Sequence, residues 1–170
     1  MSVASEDLIK TLPQHVAWRL FLTVHAVACN RIDKNLQEAG VLSFDDYDVL
    51  LTVNEATNET LRMSELAEAV LLSKSGMSRR VTRLVERGLL KRDQSPQDGR
   101  VFRVRLTRAG HRALDATWDI YCQQIENDFA AHITQEEAET LGIIFQRMLD
   151  RMGAVEHANV LHNQVTDAPK

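Results

Sequence analysis

The chain has 170 residues, a net charge of −4 and 44% apolar residues, enough for one domain, or one domain with helical extensions, to bury a real core. Two cysteines are too few for a disulfide framework, and the longest apolar stretches, such as residues 24–29, are far too short to span a bilayer. The opening MSVASEDLIK is acidic and has no apolar run of secretory type, so the expected compartment is the cytoplasm, with no membrane partner.

Scarce Gly and Pro beside abundant Leu, Ala and Glu predict a mostly helical chain. Thr11 is placed to cap a first helix with Pro13 in its first turn, where a missing N–H costs nothing. Two apolar stripes follow at helical spacing: Trp18, Leu22, His25, Cys29, Ile32 and Leu36, then Ala17, Leu20, Phe21, Val24, Val27 and Ala28. A helix apolar on two sides must be covered twice, by its own domain and by something else. Gly40 ends it as a left-handed cap. The SFDD at Ser43–Asp46 opens a second helix carrying Tyr47, Leu50 and Leu51, fading near Asn58.

Ser64 begins a short helix with Leu66, Ala67 and Val70 on one face; Leu71 and Leu72 form a turn, and Ser73 caps the next helix. There Met77, Val81, Leu84 and Val85 point inward, while Ser75, Ser78, Arg79, Thr82 and Arg83 face outward with Lys74 and Arg80 flanking. Gly88 ends this helix, Leu89–Asp93 reads as a strand, QSPQDGR as a loop, and VFRVRLT alternates with Arg103 and Arg105 outward. Thr107 starts a long helix with Leu114, Trp118, Tyr121, Ile125 and Phe129 in near-heptad register. Thr134 and Glu137 form a capping box before a last helix carrying Leu141, Ile144, Phe145, Met148 and Met152, and a polar tail follows Gly153.

From Ser73 to Arg108, eleven basic side chains stand against three acids, leaving +8 on a chain that is −4 overall. An acidic body with one basic segment docks a polyanion through one face. A polar helix face poor in acids suits a DNA major groove, where arginine pairs bidentately with guanine. A basic hairpin tip after such a helix reaches the adjacent minor groove, with Arg100 as the inserting residue and Asp98 orienting it. The fold class expected is therefore mainly α-helical, a winged helix-turn-helix with a small β-hairpin wing. An enzyme is not expected: HExxH, CxxC, P-loop and GxSxG motifs are all missing from the sequence. No cofactor is called for.

The segments MSELAEAV and SKSGMSRRVTRLVERGLLKR, and Asp98-Gly99-Arg100 followed by VRLTRAG, resemble the MarR family of bacterial transcription regulators. The resemblance spans nearly the whole chain. It implies that the helix from Ser73 is the recognition helix and that Arg100 is the wing arginine. It further implies an obligate homodimer made by the first helix and the last two, binding a near-palindromic double-stranded DNA operator, most simply as a repressor. The expected division is a dimerisation helix in residues 1–40, a winged lobe in 41–110, dimerisation helices in 111–153 and a tail in 154–170. The DNA-contact set is Lys74, Ser75, Ser78, Arg79, Arg80, Arg83, Asp98, Arg100 and Arg103.

In this family small anionic or aromatic effectors bind where the first, second and fifth helices meet the DNA-binding lobe. Here that implies Trp18, Arg19, Leu22, His25, Tyr47, Leu51 and His111, each equally readable as core or solvated surface. Two other sensors compete. Cys29 lies late in the first helix inside an apolar stripe, which raises a thiol's pKa and makes it inert; Cys122 has no basic neighbour closer in sequence than Arg112. His25 and Cys29 have a spacing that can bind zinc, but Leu22, Ile32 and Leu36 around them bring no carboxylate, so no metal is expected. A winged helix serving protein interaction is the remaining alternative.

Overall fold

The computed structural model describes residues 12–56, 60–70, 74–94 and 102–153. The expected Thr11 and Ser73 caps, the Leu71–Leu72 turn, Asp98, Arg100 and the tail lie outside the described residues, as do the side chains of Lys74 and Ser75. In chain order the elements are α1 (Pro13–Glu38), α2 (Phe44–Glu55), β1 (Thr60–Arg62), α3 (Met63–Ala69), α4 (Lys74–Glu86), β2 (Leu90–Gln94), β3 (Phe102–Leu106), α5 (Arg108–Asp128), a 3₁₀ turn (Ala130–His132) and α6 (Gln135–Met152).

The local signals act as expected where they are local. Proline opens α1, and Gly40 closes it in the left-handed region at φ 69°. Ser43 Oγ accepts the Asp46 N–H, Thr107 Oγ1 accepts that of Gly110, and Thr134 with Glu137 completes a reciprocal capping box. Leu36, Leu50, Leu66, Met77, Val81, Leu84 and Val104 are all but fully buried. Apart from Leu36 on α1, they form one core under α2, α3, α4 and the sheet, with Leu114 of α5 closing it.

Three features depart from the sequence expectations. The wing is a three-stranded antiparallel sheet, ordered β1-β3-β2, because Leu61 pairs with Val104 on the side of β3 that Arg92 leaves open. The helix begun at Thr107 stops at Asp128; Phe129 leaves helical geometry at φ −134° and its side chain is exposed. Most consequential, α1 is covered by its own lobe only near its end, at Ile32 and Leu36, while Leu12, Val16, Trp18, Leu20, Phe21, Leu22, Val24 and Val27 all face solvent.

The rod formed by α1 is about 39 Å long at 1.5 Å per residue. Phe145 of α6 meets Phe21 at 5.7 Å between ring centroids, and α6 buries no residue of its own. A polar seam fastens α1 to α5: Asn35 donates to Gln124, Gln124 donates to Asp128, and Asp128 pairs with Arg31 at 2.9 Å. Gln124 is buried.

Two glycines set the wing in place. Gly88, at φ 72°, lets α4 end in a Schellman turn, with the Leu89 N–H on the Leu84 carbonyl and the Gly88 N–H on that of Val85. Gly110, in the RAG of VRLTRAG, packs so close to the chain that an added Cβ would lie 2.2 Å from the Leu89 carbonyl oxygen.

Candidate nucleic-acid interface

Helix α4 carries the outward face. Ser78, Arg79 and Thr82 are exposed on it, and the Thr82 hydroxyl donates to the Ser78 carbonyl at 2.9 Å. Among the described residues Arg79 has no hydrogen-bonding or ionic partner, so its five N–H donors face solvent.

Its neighbours Arg80 and Arg83, expected as DNA contacts flanking and on this face, are engaged by carboxylates of α2. With Arg87 they recur three and four residues apart, so they share one stripe on the flank of α4, and that stripe meets the first turn of α2. Asp46, with its side chain only 4% exposed, accepts Arg80 Nη1 at 2.8 Å, Arg83 Nη2 at 2.7 Å and Arg87 Nη1 at 2.7 Å. Asp45 accepts the other Arg80 terminal nitrogen at 2.5 Å. Burial acts to raise the Asp46 pKa, but hydrogen bonds and charge from Arg83 and Arg80 outweigh it and hold the carboxyl below its ordinary value. Arg80 is the most withdrawn of the three, at 18% side-chain exposure against 54% for Arg83 and 44% for Arg87. Arg80 is thus a structural ion-pair partner rather than a free contact. Asp45, Asp46 and Arg87 were absent from the sequence-derived set, although the SFDD run and the arginine spacing were both visible.

The wing brings further cations together. Arg92 lies over the Phe102 ring at 3.9 Å. Asp93 receives Arg105 at 2.8 Å and Lys91 at 3.2 Å, and those hydrogen bonds, Arg105 first, lower its pKa. Arg103 is half-buried, opposite Arg62 in β1 and Asp93 in β2. Of the expected contacts, Ser78, Arg79, Arg83 and Arg103 are therefore carried by α4 and the adjoining sheet.

The expected effector residues are divided. Trp18, Arg19, Leu22 and His25 lie on the exposed half of α1, where Trp18 stacks on Phe21 at 5.8 Å and His25 Nε2 sits 3.6 Å from Cys29 Sγ. Tyr47 is instead inside the lobe, 4.7 Å from Tyr121 between ring centroids, and its buried hydroxyl has no partner among the described residues. Burial raises both phenols, Tyr121 to about 12. Leu51 and His111 are half-buried. No ring contact joins Trp18 to Tyr47 among the described residues. A cavity of about 260 Å³ lies elsewhere, between α1 and the end of α5, with Arg31, Asp128 and His132 at its polar side, and none of the seven residues lines it. Burial also raises the Cys29 and Cys122 thiols, and no three His, Cys, Asp or Glu side chains gather as a metal site among the described residues.

A helix-turn-helix lobe with a sheet wing, set between long helices, is a winged-helix fold. The MarR family model matches residues 42–101. The chain is 31% identical over 117 residues to the uncharacterized HTH-type transcriptional regulator YxaD of Bacillus subtilis (strain 168), covering 69% of this chain and 80% of that protein. Among solved structures it is similar to AbsC, a MarR family transcriptional regulator from Streptomyces coelicolor, with a TM-score of 0.74, 26% identity and coverage of 81% and 92% of the two chains. It is also similar to Sco3205, a MarR family regulator of the same organism solved in complex with DNA, with a TM-score of 0.73, 25% identity and coverage of 88% and 89%. The chain belongs to the MarR family of transcriptional regulators, a family of regulators and not of enzymes. Among the described residues no helix is long and apolar enough to cross a membrane.

Proposed function

We propose that this chain binds duplex DNA as a homodimer and represses transcription until a small anionic or aromatic ligand releases it. The observation that carries the reading is the outward face of α4, where Arg79, unpaired among the described residues, stands beside Ser78 on a helix fixed to a basic sheet. In this reading Ser75, Ser78, Arg79 and Arg83 address base edges, Arg100 with Asp98 addresses the minor groove, and Lys74 and Arg103 address phosphates. The lobe of residues 41–110 does the binding. The uncovered apolar side chains of α1 and α6, among them Leu20, Phe21, Val24, Phe145 and Met148, support pairing with a second copy. Two joined heads then read half-sites one helical turn apart.

Fluorescence anisotropy with duplex from the gene's own upstream region tests the reading. Six to ten phosphate contacts cost roughly a thousandfold or more in affinity between about 50 and 200 mM salt. A protein that ignores that duplex at low salt overturns the proposal and favours a protein-interaction module. Effectors are sought by thermal shift with aromatic acids, then release of bound DNA. Release by mild peroxide or by zinc alone would replace the ligand reading with a redox- or zinc-responsive one.

A further inference from the structure

We infer that Asp46 is a positioning residue for DNA recognition, holding Arg83 and Arg87 on the flank of α4 as a ready-made pair of phosphate donors. The inference rests on the DNA-binding reading above and changes the role of Arg83 from base reader to backbone anchor. Each guanidinium carries five N–H donors, and Asp46 takes one from Arg83 and one from Arg87. Both side chains stay about half exposed, so their remaining donors border the outward face. Arg80, bonded to both Asp45 and Asp46, joins Arg83 in keeping this nearly buried carboxylate ionised.

The clamp is itself anchored. Ser43 Oγ accepts the Asp46 N–H at 3.3 Å, and Asp33 of α1 accepts the Phe44 N–H at 2.9 Å while receiving Gln37 on its other oxygen at 2.5 Å. Phe44 also stacks on Tyr121 of α5 at 6.0 Å. The first turn of α2 therefore joins three helices: α1 through Asp33, α5 through Tyr121, and α4 through Asp46. Two long side chains held in place before DNA arrives lose less freedom on contact than free ones.

The sign of one substitution separates this role from simple electrostatics. Deleting a carboxylate beside a polyanion site should tighten DNA binding and steepen its salt dependence, since one repulsive charge per head is gone. Loss of a positioning group does the opposite. In the full chain, Asp46→Asn should weaken binding to the upstream duplex about tenfold or more near 150 mM salt. The log–log salt slope should fall in magnitude by about 0.9 for each phosphate that is no longer neutralised. The Arg83→Gln, Arg87→Gln pair should show the same fall, Asp46→Asn added to that pair should change nothing further, and Asp46→Glu should recover part of the slope.

A merely structural defect lowers the active fraction and leaves the slope unchanged. Equal or tighter binding by Asp46→Asn, or an unchanged slope in a folded Asp46→Asn protein, overturns the inference. Should Asp46→Asn fail to fold by circular dichroism, the arginine pair decides, and an unaltered slope there overturns it equally. Failure of the unmodified chain to bind any duplex near 50 mM salt is a different result: it removes the DNA-binding reading, and this inference with it.

Discussion

Gly110→Ala sets helix propensity against packing, and the two predict opposite signs. Alanine exceeds glycine by roughly 1 kcal/mol in a helix interior, and Gly110 lies in the first turn of α5, so propensity alone predicts a small gain in stability. Packing disagrees. The new Cβ would lie 2.2 Å from the Leu89 carbonyl oxygen and 3.2 Å from its carbon, and both are backbone atoms that no rotamer change can move. Relief needs a shift of about 1 Å to restore ordinary contact, at a site where the same oxygen accepts the Thr107 N–H at 3.0 Å and Thr107 Oγ1 donates to the Gly88 carbonyl at 2.6 Å. Overpacking of this kind costs about 1–3 kcal/mol, and one weakened hydrogen bond adds about 1 kcal/mol. Net of propensity, the substitution should destabilise by roughly 1–3 kcal/mol, a fall in Tm of several degrees for a chain of this size. Thermal melts at fixed protein concentration measure it, and a Gly110→Ala protein melting at or above the parent would refute the packing argument.

The remaining expectations concern charge, pairing and readout. The Asp46 pKa is depressed in the folded chain, so its contribution is complete above the ordinary value of 3.8 and is lost as pH falls through the lower folded value. Urea midpoints measured from pH 6 down to pH 3 should therefore drop more steeply below about pH 4 for the parent than for Asp46→Asn. Phe145→Asp places an unpaired charge in the proposed dimer contact, so sedimentation should show monomer or unfolded chain at micromolar concentration, and an intact dimer would count against that contact. Arg79→Ala should lose about 1–3 kcal/mol on operator and relax base preference, whereas Lys74→Ala should weaken all sequences alike. Equal losses on operator and random duplex would reassign the base reader.

What could be read from the chain beforehand was what depends on near neighbours. The caps at Ser43, Thr107 and Thr134, the glycine stops and the inward run Met77, Val81, Leu84 are each written within a few residues. Strand β1 was missed because three residues carry no alternation, and its partner Arg105 lies far along the chain from Thr60. The arginine clamp was missed for a related reason: Asp46 is separated from Arg80, Arg83 and Arg87 by 34, 37 and 41 positions. Spacing placed those arginines on a helix but said nothing of which carboxylate they would meet. Periodicity likewise marked α1 as apolar on two sides, yet not that its own lobe covers little more than Ile32 and Leu36. The effector set drew on both rod and lobe, and periodicity holds no information on how far apart those two bodies stand.

The polar seam between α1 and α5 has a mechanical consequence. Greasy contacts tolerate a slide of one residue; the two links across the seam, Asn35 to Gln124 and Arg31 to Asp128, do not, since both would break together. Leaving the buried Gln124 carbonyl oxygen without its donor costs about 1–3 kcal/mol. The seam consequently fixes the register of the two helices at this end, where α1 meets the lobe.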